Sequence, residues 1–148
     1  MHDNDQHDCV FCKILAGEAP GYIVRENETA VALLDINPLA SGHCLVIPRR
    51  HVPWWYDLTP DEISGLFRLA QETAQRIMTV FEPDFIGMFA RGRRIPHTHI
   101  FLIPTNKGEA ADRVFNVLEG FQEAVAPLSR VRQPDAMAET MRKLKGDR

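Results

Sequence analysis

The segment RGRRIPHTHIFLIP, residues 91–104, sets two imidazoles, His97 and His99, one residue apart in an otherwise apolar run. Imidazole titrates near neutrality, so it can pass a proton or attack phosphorus. Attack needs one ring nitrogen bare and the other held by an acceptor. Arg93 and Arg94 lie just upstream, and guanidinium grips phosphate through paired N–H donors. Cys9 and Cys12 form a Cys-x-x-Cys pair, which suits a metal knuckle or a redox couple. The redox reading wants a thioredoxin-like strand–helix–strand context that the sequence around Cys9 lacks. The metal reading wants two more ligands. Plainer alternatives stand beside each of these: two hydrogen-bonded histidines in a sheet, a solvated arginine turn, and two buried thiols.

The histidine pair needs a rigid element under it. Side chains alternate along a strand, so a strand over His97–Ile103 puts His97, His99, Phe101 and Ile103 on one face. Thr98, Ile100 and Leu102 then take the other face. The two rings would stand roughly 6–7 Å apart at Cα, within reach of one ligand. Upstream, residues 9–17 (CVFCKILAG) read as a short helix ended by Gly17. YIVREN and ETAVALLDI read as strands joined by a turn at Glu26-Asn27-Glu28, and HCLVIP as a third strand closed by Pro48. Cys44 points away from His43 on that strand, toward a core. Thr59-Pro60-Asp61-Glu62 starts a helix: Thr59 caps, Pro60 takes the first position, and Glu62 completes a capping box. Ile63, Leu66, Phe67, Ala70, Ala74, Ile77, Met78 and Phe81 carry its apolar period to about residue 81. A strand over Asp84–Ala90 follows. A helix over 109–126, broken by Pro134, and a last short helix through Met137, Met141 and Leu144 complete the chain. Residues 1–8 read as a disordered leader. This order predicts a single α+β domain with a mostly antiparallel sheet.

Composition narrows the function. The 148 residues carry a net charge of −3, which argues against nucleic acid as a partner despite RGRR and Arg49-Arg50. No apolar run is long enough for a membrane span, and MHDNDQHDC has no signal-peptide core. Three cysteines argue against a disulfide framework and for reduced thiols in a cytoplasmic protein. Trp54-Trp55-Tyr56 form an aromatic row, suited to a rim, a dimer contact or an interaction surface.

PHTHIFLIP resembles the His-x-His-x-His signature of the histidine triad (HIT) superfamily. HDCVFCKILAGEAP resembles that family's N-terminal segment, and AVALLDINPLASGHCLVIPRRHV its central strand–loop–strand, so the resemblance covers about residues 8–104. It implies a five-stranded antiparallel sheet with helices packed on it, often dimeric; the helices from about residue 109 add little to the resemblance and read as a C-terminal extension of that single domain. It implies a nucleotide hydrolase or nucleotidyl transferase that acts at an α-phosphate. In that picture His99 is the nucleophile, the carbonyl of His97 orients its ring, and His43 lies near it. Asp35 matches the residue that holds ribose hydroxyls. Val10, Phe11, Ile14 and Ile36 match the base pocket, for which a purine is expected. In some members two cysteines of this spacing bind structural zinc with two histidines, and the matching set here is Cys9, Cys12, His51 and His97.

The chain departs from the family pattern in the phosphate contacts. Phe101 occupies the third histidine position and cannot donate a hydrogen bond. Arg93 and Arg94 replace polar phosphate contacts, and Ile86 aligns with an expected asparagine. Either the arginines replace the lost donors and the protein is an enzyme, or it is a zinc-stabilised nucleotide-binding module with little catalysis.

Overall fold

The computed structural model describes residues 8–90, 93–125 and 130–146. Its sheet is built from β1 (Ile23–Glu26), β2 (Ala30–Leu34), β3 (Cys44–Pro48), β4 (Phe85–Ala90) and β5 (Ile100–Thr105). The spatial order is β1-β2-β3-β5-β4 and every neighbouring pair is antiparallel. The α+β architecture expected from the element order is therefore present.

β2 and β3 read as unbroken apolar runs, AVALL and CLVIP, because both of their faces are covered. Alternation sorts their side chains between two layers. Ala30, Ala32, Cys44 and Val46, with Ile100 and Leu102 of β5, pack under the long helix α2 (Pro60–Phe81) through Leu66, Leu69, Ala70 and Ile77. Val31, Leu33, Leu45 and Ile47 face the opposite way, onto Cys9 and the short helix α1 (Val10–Leu15) through Phe11 and Ile14. Gly17, at φ +76°, turns the chain away after α1.

The start of α2 is fixed as its sequence requires. The Glu62 N–H donates to Thr59 Oγ1 at 3.3 Å, and the Thr59 N–H donates to the Glu62 carboxylate at 2.8 Å. Gly65 lets this helix lie directly on the β1–β2 turn: a Cβ there would fall 1.9 Å from Thr29 Oγ1. The Asn27 side-chain amide donates to the Gly65 carbonyl at 2.8 Å across the same contact.

Several boundaries differ from the sequence expectations, three of them with a readable cause. β5 starts at Ile100 rather than His97, because the lead-in bends at Ile95-Pro96 and takes its bonds elsewhere. There the His97 N–H donates to the Ile95 carbonyl at 2.8 Å and the Thr98 N–H to the Val52 carbonyl at 2.7 Å. β2 ends at Leu34, which leaves Asp35 outside the strand and Ile36 in a bend. Pro134 opens the last helix at its first turn instead of only closing the one before it.

The chain divides into two compact units, residues 1–109 and 110–148. The second holds α3 (Ala110–Val125), a 3-10 turn (Arg130–Arg132) and α4 (Pro134–Lys145). Within it, Arg132 donates to the Gln122 carbonyl at 2.8 Å. Of the leader expected over 1–8, residues 1–7 lie outside the described residues. No described helix is long and apolar enough to cross a membrane.

Candidate functional site

Two loops and one helix start converge on the α1 side of the sheet. Cys9 is the N-cap of α1 and Cys12 lies in its first turn. His51 follows β3, and His97 sits in the lead-in to β5. One ligand atom from each of these four residues lies within 4.8 Å of all the others. His97 Nδ1 is 3.5 Å from Cys9 Sγ and 3.6 Å from Cys12 Sγ, and His51 Nδ1 is 3.2 Å from Cys12 Sγ. The group could hold a metal ion.

The tautomer of His97 follows from its second nitrogen. Nε2 lies 2.8 Å from the Pro48 carbonyl, which can only accept, so Nε2 carries the proton. The Nδ1 lone pair therefore faces the thiols. A backbone carbonyl held this way is the usual partner of a metal-binding imidazole. The ring is fully buried, and that burial pushes its pKa down to about 4, with the neighbouring His51 and His99 adding to the fall and the Pro48 bond opposing it. Burial, with Cys9 alongside, pushes the Cys12 thiol up to about 11. Burial works against the thiolate form of Cys12, and a bound cation would offset that cost because it takes thiolate sulfur and imidazole lone pairs as ligands.

His99 shows the complementary arrangement. Its Nδ1–H donates to the His97 carbonyl at 2.7 Å, which leaves the Nε2 lone pair bare. The ring is 6% exposed and sits between two hydrocarbon rings, with Phe11 edge-on at 5.3 Å and Phe101 at 5.0 Å. Phe101 is in turn stacked on Phe89 at 4.3 Å, because the β4–β5 register sets the two residues opposite each other. His97 thus offers its ring to the cluster and its carbonyl to His99.

His43, also buried, approaches Phe101 at 5.9 Å between ring centres. Its Nδ1 accepts from the Leu39 N–H at 3.1 Å, so the proton stays on Nε2. That Nε2 is buried without a hydrogen-bond partner and faces Asp35 Oδ2 at 3.6 Å. Burial lowers the pKa of His43, and the Asp35 charge opposes the fall. Asp35 Oδ1 accepts from the Asn37 N–H at 2.7 Å, which fixes the bend.

The remaining expected residues are less closely gathered. Phe11 and Ile14 are buried in the α1 layer, Phe11 against both imidazoles, at 5.6 Å from His97. Val10 is exposed, and Ile36 is 78% exposed. Arg93 and Arg94 are exposed in the bend ahead of His97; Arg91 and Gly92 lie outside the described residues. Trp54, Trp55 and Tyr56 are exposed, with Trp54 and Tyr56 stacked at 6.1 Å. Two contributors escaped sequence reasoning. Pro48 acts through its carbonyl, which no residue type reveals. Phe89 had a readable signal, since pairing the two expected strands across the arginine loop places it beside Phe101.

An antiparallel five-stranded α+β fold, a four-residue thiol–imidazole cluster and a buried histidine with a bare Nε2 together define a recognisable class of protein. A family model described as HIT domain matches residues 16–108, and the chain belongs to the HIT family. An adenylylsulfatase of Arabidopsis thaliana is 35% identical over 104 residues, covering 67% of this chain and 53% of its own length, so the chain spans about half of that relative. The protein named hit of Bacillus subtilis is 33% identical over 114 residues, covering 73% of this chain and 79% of its own. A crystal structure of a HIT-family member from Bacillus subtilis superposes with a TM-score of 0.65 at 28% identity, covering 78% of this chain and 96% of that one.

Proposed function

We propose that the protein cleaves or transfers a nucleoside monophosphate group through a covalent intermediate on His99. The observation that carries this reading is the 2.7 Å bond from His99 Nδ1 to the His97 carbonyl, which keeps a proton on Nδ1 and leaves Nε2 as the attacking atom. Arg93 and Arg94 act as the phosphate clamp in place of the missing polar contacts. Guanidinium stabilises the charge that builds on the phosphoryl oxygens. Asp35 accepts from the ribose hydroxyls. Val10, Phe11, Ile14 and Ile36 supply the apolar base contacts, with a purine favoured by the family pattern. His43 supports the site from behind Phe101. The name of the Arabidopsis relative, an adenylylsulfatase, supports an adenylyl group as the part transferred.

Cys9, Cys12, His51 and His97 are assigned to structural zinc. Zn–S bonds of about 2.3 Å and Zn–N bonds of about 2.0 Å give a tetrahedron with edges of roughly 3.3–3.8 Å. The three N···S separations, 3.2, 3.5 and 3.6 Å, are close to those edges. Four protein ligands leave no open position, so the metal supplies rigidity: it ties α1 and the loop after β3 to the lead-in that carries His99. The reading extends to a cytoplasmic homodimer. β4 is an edge strand with Phe85 and Met88 exposed, which favours pairing with a second copy.

The test is to mix the protein with an adenylyl donor labelled at the α-phosphorus and quench. An acid-labile label on His99, absent in His99→Ala, is the expected result. A second reading, a nucleotide-binding module with little turnover, is favoured by the phenylalanine at position 101. Micromolar binding of AMP with neither label nor turnover would select it.

A further inference from the structure

Phe101 bears on which bonds the site can break. It follows His99 by two positions and its ring lies 5.0 Å away, where a proton donor to the departing group would be useful. Among the described residues, the other rings around His99 offer no substitute. Phe11 is hydrocarbon. The Nε2 proton of His97 is committed to the Pro48 carbonyl, and its Nδ1 faces the thiols. The Nε2 proton of His43 faces Asp35, and Phe101 stands beside that ring. Arg93 and Arg94, four and three positions ahead of His97, can steady an anion, but guanidinium does not release its proton near neutrality.

Resting on the nucleotidyl-transfer reading, we propose that Phe101 makes this site selective for nucleoside 5′-phosphate mixed anhydrides. These are substrates whose leaving group departs as a stable anion, such as sulfate or a phosphate monoester. The site discriminates against phosphoramidates and alkyl esters, whose leaving groups must take a proton as they go. In the first step the Nε2 lone pair of His99 forms the N–P bond. The P–O bond to the leaving group breaks, and its electron pair stays on that oxygen. No proton moves, because the anion is stable as it leaves and Nδ1–H remains on the His97 carbonyl. Water then forms the new O–P bond, the N–P electron pair returns to Nε2, and the water proton goes to solvent. With an amine leaving group the same first step would expel an amide anion, which is prohibitive without a donor.

The Phe89–Phe101 stack makes the choice a built feature of the sheet. Ring stacking at 4.3 Å fixes Phe101 in place, so a bound water has no ready way to take over the donor's position. General acid catalysis contributes roughly 10²–10⁴-fold where it operates, and that is the selectivity expected here.

The experiment measures kcat/KM of the intact protein on adenosine 5′-phosphosulfate, on an adenosine phosphoramidate, and on a series of AMP aryl esters spanning phenols of rising pKa. The expected result is anhydride turnover at least about a hundredfold above the amidate, and a steep fall along the ester series. Phe101→His should raise amidate turnover about a hundredfold and change anhydride turnover less than tenfold. The ester series needs no variant, so it decides the matter even if that substitution misfolds. Equal turnover of amidate and anhydride, or a flat ester series, would overturn the proposal and leave the His99 intermediate standing. No turnover of any class and no label on His99 would overturn the nucleotidyl-transfer reading and this proposal with it.

Discussion

The two halves of the site share His97 and differ in what surrounds it. On one side every group is polar and paired: two thiols and two imidazoles gather within 4.8 Å, and the Pro48 carbonyl orients one of the rings. On the other side His99 stands between Phe11 and Phe101, with a single hydrogen bond from its ring. The cluster has the four donors that a tetrahedral metal site needs, while the other side has the ring proposed to attack and hydrocarbon where a proton donor could stand. A structural centre depends on all four ligands together and tolerates no vacancy. A reacting centre can lose a donor and still work on substrates that do not need it.

Replacing the ring proposed to attack separates the two halves most sharply. His99→Ala should lower kcat/KM for an adenylyl donor by about 10⁴-fold or more, since removing a nucleophile abolishes the covalent route. Zinc content and thermal midpoint should stay near those of the parent protein. A variant that kept more than a tenth of the activity would show that another group attacks.

Damage to the other half should read out as stability. Cys12→Ser removes one ligand and leaves His99 and its acceptor untouched. Zinc at a thousandfold excess over its dissociation constant contributes about 4 kcal/mol. For a chain of this size that corresponds to a fall in midpoint of roughly 10 °C, with zinc lost from the purified protein. Differential scanning calorimetry and metal analysis check both. A metal-free parent that melts with the zinc-loaded one would dissolve the assignment.

A smaller effect belongs to Asp35. Asp35→Asn keeps an acceptor for the Asn37 N–H and removes the charge that faces His43 and is proposed to hold the ribose. Loss of one charge-assisted hydrogen bond is worth about 1.5 kcal/mol, so KM should rise about tenfold with kcat little changed. A fall confined to kcat would place Asp35 with the chemistry rather than with binding.

The sequence made the elements readable because their signals are local. The Thr59–Glu62 capping box, the apolar period of α2 and the unbroken runs of β2 and β3 each express one physical requirement within a few residues. In the thiol–imidazole cluster the Cys9–Cys12 pair was legible from its spacing, but its histidine partners only through family resemblance, since the members are as many as 88 positions apart and no local pattern joins Cys9 to His97. The start of β5 was misplaced for a related reason. Alternation over His97–Ile103 is the pattern of a strand, but the backbone of Thr98 pairs with Val52, a loop residue far away in sequence. The acceptors that set the two tautomers are the carbonyls of Pro48 and His97, and backbone acceptors carry no residue signature.

The smallest test concerns how His51 is presented to the cluster. Its neighbour Arg50 makes two contacts of 2.7 Å with the Glu62 carboxylate, tying the loop after β3 to the first turn of α2. Hydrogen bonding from Arg50, with further bonds from Thr59, holds the Glu62 carboxyl down at about 2, against the opposing effect of burial. A depressed carboxyl stabilises the fold above its unfolded pKa, near 4.5, and that stability is lost as pH falls toward 2. The Arg50 side chain is 51% exposed, so solvent screening reduces the contribution to about 1 kcal/mol. Glu62→Gln should therefore cost about that much at pH 7 and flatten the acid limb of the stability curve between about pH 4.5 and 2, read by urea unfolding at each pH. Because the pair braces the residue next to His51, zinc affinity should fall a few-fold, while kcat for an adenylyl donor at saturating zinc holds. If kcat fell and zinc affinity did not, the brace would serve the reactive half, and the division of labour around His97 would have to be redrawn.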